Sequence, residues 1–227
     1  MQYAAPMNYR TVASAPDYVR AEFIRKVYNL LFTAMLTTVC VGYVATRPGI
    51  IQISTALMMP LLIASFICGI VMAFLKKTTG VNLAIFMLYS ALTGAFFGPL
   101  LTMIDKFAPG VPVQAGAITV AVFGGLSFYA IQSKKDFNYL GGFLFAALLG
   151  LIVAGIVMFF VHSSMMSMIY SIFGILIFCG FILYDTSQIM TRLNPDEAIR
   201  GSIELYLDFL NLFMFILRLL TELNRRN

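Results

Sequence analysis

Five stretches of this 227-residue chain contain no Asp, Glu, Lys or Arg: 27–46, 48–75, 78–104, 107–133 and 137–184. A helix needs about 20 apolar residues to cross the hydrocarbon core. Lipid offers no partner to an unpaired backbone amide, so such stretches must fold as spanning helices. The first four hold one span each. The fifth is long enough for two, and Val161-His162-Ser163-Ser164 is the natural place to divide it. Segment 198–222 is a seventh candidate, more polar because it carries Arg200, Glu204, Asp208 and Arg218. The expected fold is all-α, a polytopic membrane helix bundle of seven transmembrane helices over residues 25–222. A polar N-terminal tail, 1–24, precedes it on the cytoplasmic side, and a short tail, 223–227, follows.

Composition agrees with that class. The chain is 60% apolar and 11% charged, against roughly 25% charged for soluble domains. Its three cysteines, Cys40, Cys68 and Cys179, lie in apolar stretches and are odd in number. They describe neither a disulfide framework nor a metal cage and read as small core residues. Residues 1–24 lack the apolar core of a signal peptide, which makes the first span an uncleaved anchor. The net charge of +5 comes from loops. No basic stripe with interleaved aromatics is present to grip nucleic acid.

Loop charge sets the orientation. The first segment has Arg10, Arg20, Arg25 and Lys26, and alternate later loops have Lys76-Lys77, Lys134-Lys135 and Arg192 with Arg200. The intervening loops offer Arg47, then Lys106, then only His162. The N-terminus is therefore expected in the cytoplasm. Seven spans place Arg225 and Arg226 outside, against this rule; a re-entrant last segment is the alternative. Turns are expected at Arg47-Pro48-Gly49, Lys76–Gly80 and Ala108-Pro109-Gly110. Asn194-Pro195-Asp196-Glu197 reads as a helix start, with a capping Asn and Pro in the first turn. Spacings such as Gly94-x-x-x-Gly98 and Ala146-x-x-x-Gly150 predict close helix packing. Pro60 and Pro99 fall inside spans, and Gly98-Pro99 is a candidate hinge or kink.

Two acids interrupt the last apolar run and the segment after it. A carboxylate at membrane depth costs about 3 kcal/mol or more, so Asp185 and Asp208 need a partner or a task. Counting from the helix ends, both fall in the cytoplasmic half at similar depth, on consecutive antiparallel helices. Two carboxylates at about 4 Å repel by roughly 4 kcal/mol at an effective dielectric of 20. They are expected to share one proton, which makes a hydrogen-bonded latch. Losing that proton leaves two charges that separate or bind a cation, and Ca²⁺ suits such oxygen ligands. Glu204, Asp208 and Asn211 share one helix face, and Gln188 lies three residues after Asp185. These supporting polar groups are too few for the six to eight ligands of a tight calcium site, so transient occupancy and permeation fit better than storage. The structural alternative has the acids hydrogen-bonded to Gln188, Asn211 or Tyr206. Arg218 reads as snorkelling to the outer interface, Glu204 as solvated near the cytoplasmic side, and His162 as a plain loop residue.

Leu183-Tyr184-Asp185-Thr186-Ser187-Gln188, followed by Glu204-Leu205-Tyr206-Leu207-Asp208-Phe209-Leu210-Asn211-Leu212-Phe213, resembles the paired signature of the Bax inhibitor-1 (transmembrane Bax inhibitor motif) family. Thr93-Gly94-Ala95-Phe96-Phe97-Gly98-Pro99 is similar to that family's third-span segment, and Lys134-Lys135-Asp136-Phe137 through Gly141-Gly142 to its charged loop. The similarity runs in order over about 25–222. It implies a seven-helix fold, a pH-dependent calcium leak, and Asp185 and Asp208 as the pH-sensing dyad and ion pathway. Some relatives pair the dyad with a basic residue on the second span, which this chain lacks between Arg47 and Lys76. Long proline-rich N-termini and basic C-terminal tails of eukaryotic members are absent, which points to a bacterial inner membrane.

The function expected is thus a pH-sensitive calcium leak channel with no tightly bound cofactor, working with lipid, calcium ions and protons and not as an enzyme. The alternative is a non-transporting regulator that binds another membrane protein, such as a membrane protease. An intramembrane aspartyl protease fits less well. Tyr184-Asp185 matches half of its pattern, but Leu205-Tyr206-Leu207-Asp208 lacks the glycines that let a substrate backbone approach. A light-driven pump is disfavoured because no lysine lies in the last two spans. Proton-coupled secondary transport shows no clear inverted repeat.

Overall fold

The computed structural model describes residues 11–72, 79–133, 135–161 and 163–225. The expected features at Arg10, Lys76-Lys77, Lys134, His162 and Arg226 lie outside them. Among the described residues, regular structure is helical throughout. The α-helices are α1 (Asp17–Ala45), α2 (Ile51–Ala56), α3 (Met58–Met72), α4 (Gly80–Phe107), α5 (Val111–Ser133), α6 (Gly141–Phe160), α7 (Ser164–Thr191) and α8 (Ala198–Asn224).

Five of these, α1, α4, α5, α6 and α7, are long and apolar enough to cross a membrane. The seven expected spans are therefore shown only for five. The second is broken: the helix stops at Leu57 (φ −93°, ψ 7°) because Pro60 has no N–H for the carbonyl four residues back. It resumes as α3, where the proline sits harmlessly in the first turn. The last, α8, is a continuous 27-residue helix, which removes the re-entrant course, but its charges set it apart from the apolar five.

That polarity has a packing reason. α8 is the axis of the bundle and touches α1, α4, α5 and α7, burying Ile199, Ser202, Leu205, Tyr206, Asp208, Leu212, Ile216 and Leu217. The apolar helices surround it and turn side chains such as Phe32, Phe66, Phe128 and Phe143 outward, where lipid accepts them. α3 lies against α4, and α6 against α7. Cys179 is partly covered and packs against the core as expected, Cys68 is partly covered, and Cys40 is exposed and so not the core residue expected.

The small-residue motifs divide. A Cβ on Gly94 would stand 2.3 Å from the Thr38 carbonyl oxygen, and one on Gly98 would stand 2.5 Å from that of Gly42. The α1–α4 backbones therefore touch, as Gly94-x-x-x-Gly98 predicts. Gly150 meets nothing and, like Ala146, faces outward, so Ala146-x-x-x-Gly150 makes no helix contact. Pro99 is buried within an unbroken α4. Gly98 belongs to the packing seam with α1.

Turns at Gly49 (φ 88°) and Gly110 (φ 78°) fall where expected, and Asp105 Oδ1 accepts the Gly110 amide at 2.8 Å. The 194–197 segment differs. It is a turn closed by Glu197 N–H donating to the Asn194 carbonyl at 2.9 Å, and the helix begins only at Ala198. Both Asn194 amides donate to Glu197 Oε2, at 3.0 and 2.9 Å, and Asn194 stands four residues before the first helical residue, so it is not the cap of α8. The first helix likewise starts earlier than expected, at Asp17, and the residues before it pack down. Val12 is fully buried and its N–H donates to the Leu193 carbonyl at 2.8 Å, clasping the α7–α8 turn. Val12→Asp would bury an unpaired charge there, at a cost of about 3 kcal/mol. Thermal unfolding in detergent should show a clear loss, with exposed Tyr18→Asp as the silent control.

Candidate functional site

Asp185 lies six residues before the end of α7 and Asp208 ten residues after the start of α8. At 1.5 Å per residue they stand about 9 and 15 Å above the connecting turn. Helical side chains lean toward the N-terminus of their own helix, so on this antiparallel pair the two carboxyls lean together. The structure brings Asp185 and Asp208 within hydrogen-bonding reach of one another.

Asp208 is 4% exposed, and its Oδ2 is buried with no donor facing it. Asp185 is partly buried. Two ionised carboxylates are acceptors only, so a hydrogen bond between them requires a proton.

Glu204, one turn closer to the start of α8, is the nearest further acid and acts electrostatically on both aspartates. Arg200 Nε donates to Glu204 Oε1 at 2.9 Å, and its NH1 lies 3.7 Å from Glu197 Oε1. Arg200 also acts on Asp185. Glu204 is therefore ion-paired and partly buried, where the sequence suggested a solvated group.

Gln188 donates to the Tyr184 hydroxyl, and Asn211 donates to the Leu207 carbonyl at 2.8 Å. Neither bonds to the acids. Tyr206, fully buried between Phe86 and Tyr89, shares a 2.5 Å hydrogen bond with Thr38 on α1. The three anchors that would have made the acids purely structural are thus committed elsewhere. The Arg218 Nε donates to buried Ser167 in the first turn of α7 at 2.9 Å, and its guanidinium sits 5.0 Å from the Tyr170 ring centre. Gly98 lies on the α1–α4 seam, and Pro99 is buried beside it in α4. No group of three or more His, Cys, Asp or Glu among the described residues could hold a metal ion.

Sequence reasoning passed over Arg200, although its spacing four residues before Glu204 is that of a helical ion pair. It also passed over Thr38, for which no sequence signal exists. Tyr206→Phe should cost about 1 kcal/mol, one neutral hydrogen bond, read by unfolding in detergent.

A multi-pass membrane bundle organised around a buried acid pair on its axial helix and the helix beside it is the class this structure defines. A profile of the family described as "Inhibitor of apoptosis-promoting Bax1" matches residues 20–226. Mouse (Mus musculus) "Protein lifeguard 4" is 34% identical, covering 96% of this chain and 93% of the mouse protein. The "Golgi anti-apoptotic protein" of Vaccinia virus (strain Lister) is 36% identical, with the same coverage. An "Uncharacterized membrane protein" of Vibrio cholerae is 33% identical over 98% of this chain and 99% of its own. The chain belongs to the Bax inhibitor family.

Proposed function

We propose that this protein is a pH-sensitive calcium leak channel gated by proton sharing between Asp185 and Asp208. The observation that carries the reading is the meeting of those two carboxyls, one of them buried with no other donor. In the closed form one proton bridges them. When it leaves, two like charges face each other at low polarity, and they part or take up a passing calcium ion. The sign follows: the protonated dyad is closed, so calcium flux rises as pH is raised and falls as it is lowered.

Glu204 supplies the next oxygen ligands toward the 192–197 turn, and Gln188 and Asn211 stand a turn away as supporting groups. The sparse ligand set fits an ion that passes and does not stay. Arg200 acts electrostatically on Asp185 and takes the place of a basic group on the second span. No chemical reaction and no tightly bound cofactor form part of this reading. In the proposed topology α2–α3 together and α8 complete seven spans, with the N-terminal residues in the cytoplasm beside Arg20, Arg25, Lys26, Lys135 and Arg192. A bacterial inner membrane, in preference to the eukaryotic endoplasmic reticulum, is the proposed location, in keeping with the Vibrio cholerae membrane protein that matches the chain along its length.

A second reading is a regulator that binds another membrane protein. The anti-apoptotic names of the family profile and the viral relative favour it, together with the unpartnered small-residue face of α6 at Ala146 and Gly150. Purified protein in liposomes loaded with a calcium dye separates the two. Flux that climbs from about pH 5 to pH 8, the range of physiological titrations, supports the leak. No flux at any pH in correctly folded protein removes it and leaves the regulator.

A further inference from the structure

Hydroxyl side chains inside this bundle follow one habit. Thr38, Ser90, Thr93, Thr119 and Ser171 each donate to the carbonyl four residues back, at 2.7–3.0 Å. This is the ordinary resting place of a helical Ser or Thr.

Ser127 on α5 and Thr186 on α7 break the habit. They are 4% and 0% exposed, and neither hydroxyl has a hydrogen-bond partner. The Tyr28 hydroxyl of α1 is likewise buried and unpartnered. The three come together: Ser127 and Thr186 both approach the Tyr28 hydroxyl without closing a well-aligned bond. Ser127 lies six residues from the end of α5 and Thr186 five from the end of α7. Both therefore sit roughly 8 Å in from the same face of the bundle. Thr186 directly follows Asp185, so the cluster lies at the depth of that acid on an adjoining face of α7.

We propose that Tyr28, Ser127 and Thr186 form a hydrated station that passes a water-coated cation between the face carrying residues 192–197 and the aspartate pair. This rests on the calcium-leak reading. A buried water needs two to four polar partners, and three hydroxyls supply three donors and six acceptor lone pairs. Donors and acceptors together match the water shell of an ion better than a bare ion, which wants acceptors only. The station carries no charge, so it holds a divalent ion weakly, and calcium keeps its waters where protein ligands are few. One hydroxyl from each of three helices is thus buried at the same place without a hydrogen-bond partner, where the carbonyl four residues back was open to Ser127 and Thr186.

The test uses the full chain in liposomes with Cys40, Cys68 and Cys179 replaced by alanine. Ser127→Cys is exposed to a charged, membrane-impermeant methanethiosulfonate reagent. Thr119→Cys, two turns away on the same helix and back-bonded, is the control. Labelling of Ser127→Cys but not Thr119→Cys is expected. In folded protein, Tyr28→Phe and Thr186→Val should each lower calcium flux about tenfold, the scale of one lost polar contact. Equal resistance of both cysteines to the reagent overturns the proposal. So does wild-type flux in Tyr28→Phe and Thr186→Val proteins that elute and melt as wild type. Labelling of Ser127→Cys with no calcium flux in the unsubstituted protein overturns the leak while leaving the hydrated station in place.

Discussion

Asp208→Asn should hold calcium flux at its low-pH level across the whole range from about pH 5 to pH 8, about tenfold or more below wild type at the upper end. Asparagine has the shape of a protonated aspartate and always offers an N–H. It would bond to Asp185 permanently, as the shared proton does in the closed form. Asp185→Asn should do the same from the other side. Asp208→Ala removes the bond instead of fixing it, and should leave a flux that no longer falls in acid. The contrast between Asn and Ala at one position is the decisive measurement. A full pH response in either asparagine variant would show that the proton is sensed elsewhere.

The second large effect concerns the α1–α4 seam. Gly94→Val places a branched side chain where a single Cβ already stands 2.3 Å from the Thr38 carbonyl oxygen and 3.0 Å from the Thr38 Cα. Backbone cannot swing aside as a side-chain tip can, so the helices must part. Thr38 also bonds to the Tyr206 hydroxyl and to the Ser90 carbonyl, and its displacement strains the grip of α1 on the axial helix. The expected cost is about 3 kcal/mol, the upper end for overpacking. Gly150→Val, with nothing within 4 Å, should stay within about 0.5 kcal/mol of wild type. Thermal unfolding in detergent compares them, and equal stability of the two variants would contradict the seam.

Much of this was legible in the chain because lipid reads composition directly. Uncharged stretches mark α1, α4, α5, α6 and α7, and the two acids stand out against that background. Legibility failed where a contact crosses the bundle. Tyr206 looked like a partner for its near neighbour Asp208, yet its hydroxyl projects to Thr38, 168 residues earlier. Ala146-x-x-x-Gly150 has the same spacing as Gly94-x-x-x-Gly98, and only the arrangement of helices tells which one meets a neighbour. The turn at 194–197 misled for a local reason. Asn194 and Pro195 suit a helix start, but the chain first closes a turn from the Asn194 carbonyl to the Glu197 N–H, and the helix begins only at Ala198.

The position of α8 has a bearing on how the molecule is made. In chain order the axial helix follows every helix it organises. During synthesis the earlier segments leave the ribosome and settle in the bilayer before their central post has emerged, so the ring must be held open or assembled loosely until then. An amphipathic, charged helix is a poor substrate for direct partitioning into lipid and a good one for a waiting polar cleft. Insertion of α8 should therefore depend on its predecessors: expressed behind an unrelated leader, it should fail to integrate, and supplied together with the preceding helices as a separate fragment, it should enter.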